Sequence, residues 1–203
     1  MFGCINTGSL KNLSVYGSVK GNATTAGVVG YSVTNATLEN ITSYINVTSA
    51  KSGTRQGTVG GIVANQENSA GALLNCVNYG TVTCDSYIVG GIVGSGGKDM
   101  TNCVNWGNVT GANVSVGGIS GSTKDKGTIT GCINYGTITG ATTAYGQIGG
   151  IVGTCNKPVT NCTNYGTVIG ATSKGVGQIC GKNSSTTTNC VENGTIQEYV
   201  PRY

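Results

Sequence analysis

Nine cysteines are the residues of this 203-residue chain with the most obvious chemistry: Cys4, Cys76, Cys84, Cys103, Cys132, Cys155, Cys162, Cys180 and Cys190. Thiols can bind metal, act as nucleophiles or pair as disulfides. A zinc site wants close Cys or His pairs, and the chain has no C-x-x-C and no histidine. The odd count leaves at least one thiol unpaired. The seven acids, Glu39, Glu67, Asp85, Asp99, Asp125, Glu192 and Glu198, are scattered. No acid pair recurs at a fixed position, as a glycosidase cleft on a repeat fold would suggest. Phosphate-loop and nucleophile-elbow motifs are missing. The sequence reads as non-enzymatic, with no catalytic residues, no metal and no cofactor.

Spacing says more than residue type. Aligned on Cys76, the equivalent positions are Leu13, Ile41, Cys76, Cys103, Cys132, Cys162 and Cys190, at spacings of 28, 35, 27, 29, 30 and 28 residues. Three residues earlier stand Leu10, Leu38, Leu73, Met100, Ile129, Val159 and Thr187. Three later stand Tyr16, Tyr44, Tyr79, Trp106, Tyr135, Tyr165 and Asn193. Six later comes a β-branched aliphatic in all seven units, Val19, Val47, Val82, Val109, Ile138, Val168 and Ile196. Units one to six carry a second half, such as V-G-G-I-V-G at 89–94 or V-G-Q-I-C-G at 176–181. The seventh ends without one.

The elements that must hold these columns are strands and turns. Hydrophobic residues make up 37% and charged residues only 9%, with 36 Gly and 2 Pro. That composition fits neither collagen nor disorder. Val, Ile, Thr and Tyr punctuated by Gly, Asn and Ser read as short strands throughout. A unit near 29 residues cannot bury its apolar side alone. The expected fold is an all-β β-solenoid of about seven coils in a single domain over 1–203, with 197–203 a short tail. Like residues stack ~4.8 Å apart as ladders. Columns three apart imply a corner or bulge between them. The glycines are expected to supply tight corners and positive φ. A propeller blade needs more residues than these units have.

The alternation of G-x-[IV]-x-N-C-x-N-x-G-x-V-x-G with V-G-G-I-V-G resembles the GLUG repeat, over residues 10 to 196 and most clearly over Leu73–Gly181. Proteins with such repeats include large bacterial surface adhesins and regions flanking immunoglobulin A peptidases. The resemblance implies an extracellular or cell-surface β-solenoid and carries no catalytic residues.

Within that frame the ladder Cys76, Cys103, Cys132, Cys162 and Cys190 reads as structural core. Leu13 and Ile41 replace Cys in the same column, and parallel stacking suits free thiols better than the disulfide torsion. Cys84, Cys155 and Cys180 fall off the ladder, in or near turns, where a Cys155–Cys180 bridge is conceivable. The column Tyr16, Tyr44, Tyr79, Trp106, Tyr135 and Tyr165 is either a platform for sugar rings or a stack that covers a corner. Lys98, Lys124, Lys126, Lys157 and Lys182 follow the second half-motif. They form either a basic edge for an acidic polysaccharide or a solvated rim. Thr81/Thr83 and Thr137/Thr139 suggest an ice-binding array, broken by Asn46, Asn108, Ile169 and Gln197. The stretches 51–57 and 65–71 are expected to be surface insertions.

Ten N-x-[ST] sequons occur. Asn22, Asn35, Asn46, Asn108, Asn113, Asn183 and Asn193 are candidate glycosylation sites, while Asn12, Asn40 and Asn161, next to the buried ladder, are expected to be less accessible. Net charge is only +4 with no basic run, so nucleic acid is not an expected partner. No apolar run is long enough to span a membrane. No signal peptide is visible at the start. The expected role is a non-enzymatic extracellular structural or adhesive module, with surface glycans or itself as partner. The rival is a filament subunit that stacks head to tail. The basis for the rival is that 3–10 reads as an extra first half-motif and that neither end shows a polar cap.

Overall fold

The computed structural model describes residues 2–50, 57–85, 88–112, 115–140, 146–171 and 175–199. Its described residues form strands and turns, and all strand pairings are parallel. The chain winds as a β-solenoid whose three faces are a 17-stranded, a 6-stranded and a 7-stranded sheet. One turn shows the plan. Leu73–Leu74, Val77–Asn78 and Val82–Cys84 lie on the first face, Ile88–Gly90 on the second and Val93–Gly96 on the third. Six strands on the second face correspond to six complete turns, and Thr187–Thr188, Val191–Glu192 and Thr195–Glu198 add a seventh rung to the first face alone.

Register is like on like. Val82 pairs with Val47 on one side and Val109 on the other, and Val109 with Ile138. The ladders build two apolar clusters. One holds Leu38, Ile41, Leu73, Cys76, Met100, Cys103, Ile129, Cys132, Val159 and Cys162 with Ile62, Ile92, Ile119 and Ile151 from the opposite wall. The other holds Val47, Val82, Val109, Ile138 and Val168 with Val59, Val89, Val116 and Ile148. Each such side chain contributes about 1.5–3 kcal/mol on burial.

The corner expected between columns is present. It is made by asparagine rather than by the repeat glycines. Asn12, Asn40, Asn75, Asn102, Asn161 and Asn189, each just before the ladder residue, adopt φ between 51 and 55°. Gly131 takes the place in one rung at φ 64°. Asparagine tolerates this left-handed region because its short amide bonds locally. The side chain then points out: Asn12, Asn40 and Asn161 are exposed, contrary to the expectation that the buried ladder would hide them. The glycines of G-G-I-V-G serve close approach instead. A Cβ on Gly91 would stand 2.2 Å from the Gly118 carbonyl oxygen and 2.5 Å from Asn105.

Other sequence readings also shift. Residues Phe2–Ile5 pair with Val29–Ser32 on the third face, so 3–10 does not open an additional first half-motif. Asn65 and Gln66 belong to the strand Val63–Gln66 rather than to an insertion, and 51–56 lie outside the described residues. The final strand runs on to Glu198, with Gln197 and Glu198 paired to Ile169 and Gly170, so the tail begins later than residue 197. Cys84 ends the strand Val82–Cys84, Cys155 ends Val152–Cys155 and Cys180 begins Cys180–Asn183, so all three sit at strand ends, near turns rather than in them.

Candidate binding face

The ladder thiols are core. Cys76 donates to Leu74 O at 3.4 Å, and Cys132 to Thr130 O at 3.6 Å. Contact with the next thiol of the ladder, then burial, pushes Cys76 and Cys103 up, and burial first of all pushes Cys132 up. Thiols held protonated are poor nucleophiles and poor ligands. Cys155 and Cys180 are unbridged.

Beside this ladder runs a column whose role the residue types alone did not reveal. Asn78, Asn105, Asn134 and Asn164 are fully buried. Each Nδ2 donates to the carbonyl of the glycine two residues on, at 2.8–2.9 Å. It also donates to the Oδ1 of the next asparagine, at 3.0, 2.8 and 2.8 Å. The chain of amides ends where Asn164 donates to Gln178 Oε1 at 2.6 Å. Gln178 replaces a motif glycine, and its side chain fills the space left because the seventh rung carries Glu192 in this column. The signal lay in the sequence as the second N of N-C-x-N-x-G.

Outside this core the first face presents three columns to solvent. The aromatic column is a continuous stack. Its successive ring centroids are 4.7, 4.9, 6.3, 3.9 and 5.0 Å apart from Tyr16 to Tyr165, with interplanar angles of 10° or less. The rings from Tyr44 to Tyr165 are 37–48% exposed, but Tyr16 at the open end is 72% exposed. Ring faces therefore meet ring faces, and ring edges meet water. Sugars pack on ring faces, so along its length this stack covers the corner rather than offering a platform.

Two residues on lies the column Asn46, Thr81, Asn108, Thr137, Thr167 and Thr195. Its members bond to each other across rungs. Asn46 Oδ1 accepts from Thr81 N and Oγ1 at 2.9 and 3.0 Å, and Asn108 Oδ1 accepts from Thr137 N at 3.0 Å. Thr167 and Thr195 hydroxyls are 3.0 Å apart. The third column is Thr48, Thr83, Thr110 and Thr139 in strict register. From the rung of Tyr44 to that of Tyr165 the three columns hold no charge.

The lysines do not form one basic edge. Lys124 Nζ reaches back across two rungs to Glu67 Oε2 at 2.9 Å, Asn65 Oδ1 at 3.2 Å and Gln66 O at 3.3 Å. Lys157 is fully buried and its Nζ donates to the Lys98 carbonyl. Lys98 is half-buried, which leaves Lys126 and Lys182 exposed. Low charge density on the chain lets single lysines be used as struts inside the stack. Of the sequons, Asn22, Asn35, Asn46, Asn108, Asn183 and Asn193 are exposed, and Asn113 lies outside the described residues.

No group of three metal-ligating side chains occurs among the described residues. Among them, too, no helix is long and apolar enough to cross a membrane. At both ends of the stack the columns open to solvent: Phe2 and Tyr16 at one end, Val191 and Ile196 at the other.

No protein-family model matches the sequence, and no curated protein matches it. A solved structure does match in fold, a "putative immunoglobulin A1 protease" from Bacteroides ovatus, with a TM-score of 0.64 and 24% sequence identity. The match covers 95% of this chain and 61% of that one, so the present chain spans less than two thirds of its structural neighbour. At that identity the likeness establishes the β-solenoid fold.

Proposed function

We propose that the chain is a non-enzymatic structural and adhesive module of a secreted or cell-surface protein, of the kind built from GLUG-like repeats. The observation that carries the reading is the trio of uncharged columns on the first face, where aromatic edges, amides and hydroxyls repeat in register from rung to rung. A rigid, periodic, neutral surface suits contact with another extended surface better than it suits capture of one small molecule. Cys76, Cys103, Cys132 and Cys162 are locked in the core and the acids are dispersed, so the repeat columns offer little with which to break a peptide bond.

The test is retention. Beads bearing the chain are passed over mucin-coated and immunoglobulin A1-coated surfaces, and the eluted coatings are then run on gels. Retention on a coated surface with the coating intact is the expected result. Cleavage of either coating, or loss of the beads from every surface, overturns the proposal.

A second reading has its own observation. Both end rungs leave core columns uncovered, and a rung of the same repeat would complete them. Stacking of one copy on another through these ends is the self-association form of the same module.

A further inference from the structure

We propose that the third column of the first face is a binding site for an extended, uncharged polysaccharide that lies along the solenoid axis. The proposal rests on the adhesive reading and gives it a ligand class and a location.

A shallow groove of about 240 Å³ runs past the ends of the strands Val82–Cys84, Val109–Gly111 and Ile138–Thr139. Its wall is the hydroxyl row Thr83, Thr110 and Thr139, and its floor is the backbone at Gly111 and Gly140. Tyr199 stands at the groove and takes no part in the aromatic stack. Among the described residues its ring is the one large aromatic bordering the groove.

Three features converge on one chemistry. The Thr83 and Thr110 hydroxyls are exposed, and no side-chain partner ties either of them down, in contrast to the neighbouring Asn46–Thr81 and Asn108–Thr137 pairs. They can both donate and accept, as a sugar hydroxyl requires of its partner. They recur at the rung spacing of ~4.8 Å, close to the length of one pyranose unit in an extended chain. A polysaccharide along the axis therefore meets one threonine per sugar. Among the described residues the charged group lining the groove is the Asp85 carboxylate, which repels uronic and sulfated chains and leaves neutral ones. The stack of ring edges next door cannot take over this role, because its faces are already filled.

The experiment is a calorimetric titration of the full chain with cellohexaose, mannohexaose and hexagalacturonate. Binding of a neutral hexasaccharide, with no binding of hexagalacturonate, is expected. Thr110→Val keeps the side-chain shape and removes one hydroxyl, and should weaken binding roughly fivefold. Tyr199→Ala should weaken it by a similar factor or more. Tyr16→Ala, away from the groove, should leave it unchanged. The thermal midpoint of each variant reports that the fold is intact. The proposal is overturned if no neutral hexasaccharide binds, if only hexagalacturonate binds, or if Thr110→Val and Tyr199→Ala both bind like the parent. If in those cases the beads are still retained on coated surfaces, the adhesive module stands and only the groove is lost.

Discussion

A lysine inside a thin β-core needs an account of its charge. Lys157 is fully buried, its ammonium donates to the Lys98 carbonyl, and among the described residues no carboxylate is paired with it at ion-pair distance. Burial, partly opposed by the charges of Asp99 and then Cys155, draws its pKa down to about 8 from 10.5. In the unfolded chain the same amine keeps its proton up to the ordinary value. Between pH 8 and 10.5 the unfolded state thus binds more protons than the folded one, and stability rises with pH across that window. Below pH 8 both states are protonated and the full cost of the buried charge is felt. Converted at ~1.36 kcal/mol per unit, that cost is on the order of 3 kcal/mol. Lys157→Met keeps the apolar stem and removes the charge. Urea denaturation at pH 7 should find it more stable than the parent by a few kcal/mol. The gap should close as pH approaches 10.5. Contact with Cys180, and less strongly the Lys157 charge, draws the Cys155 thiol down to about 7, so the comparison is made in a Cys155→Ser background, where the difference isolates Lys157. A gap that does not change with pH would show that the ammonium is not the source. Residue type alone favours a surface lysine, and nothing in the K-P-V-T context of residue 157 distinguishes it from Lys126. Its position is set by carbonyls two rungs away, which a local reading of the chain does not see.

At the scale of the element the organising device is the ladder, and the polar ladder is as much a part of the fold as the apolar ones. The amide column has one unfinished end. Asn105, Asn134 and Asn164 each accept from the asparagine before them, but Asn78 Oδ1 is buried with no hydrogen-bond partner. The residue below it is Ser43, whose hydroxyl is turned to Gly61 O at 3.1 Å. An asparagine there could donate to Asn78 Oδ1 and, two residues on in its own chain, to the Ile45 carbonyl. Room exists because Gly27 stands opposite Ser43, as Gly61 stands opposite Asn78. Ser43→Asn should raise stability by about 1 kcal/mol, or ~2–4 °C in the thermal midpoint for a chain of this size. A fall in midpoint, read by circular dichroism, would mean that the orphaned oxygen is not what limits the ladder at this rung. The apolar ladders were legible in the sequence because one column tolerates Leu, Ile and Cys alike, which marks burial without chemistry. The aromatic column was legible as a column but not as a closed stack, since ring orientation depends on its neighbours. The Asn78 column was visible as a motif letter, yet asparagine ordinarily signals a turn. Here it does both jobs in one repeat: Asn75 turns the chain at φ 53° and Asn78 bonds the core. Telling the two apart requires knowing which way each faces.

For the whole molecule, a stack in which each rung touches only its neighbours has stability that depends on position. Interior rungs are covered on both sides; the end rungs are covered on one. The burial record follows this rule. The column Val47, Val82, Val109, Ile138 and Val168 is fully buried, whereas Ile196, the same column in the seventh rung, is 44% exposed. Approximately additive rung and interface free energies predict fraying from both ends. Amide hydrogen exchange on dilute chain should find the greatest protection at Val109 and Ile138, falling toward Phe2–Ile5 at one end and Thr195–Glu198 at the other. The same measurement separates the two forms of the proposed module. If copies stack through their ends, protection at Ile196 and Val19 should climb with protein concentration while Val109 stays constant, because association covers the end rungs alone. Ile196→Lys should abolish the climb and leave the interior untouched, since a charge on an open rung is solvated until another rung lands on it. Protection at both ends that is independent of concentration, over a range in which sedimentation shows one species, would leave the uncharged columns of the first face as the surface through which this solenoid acts.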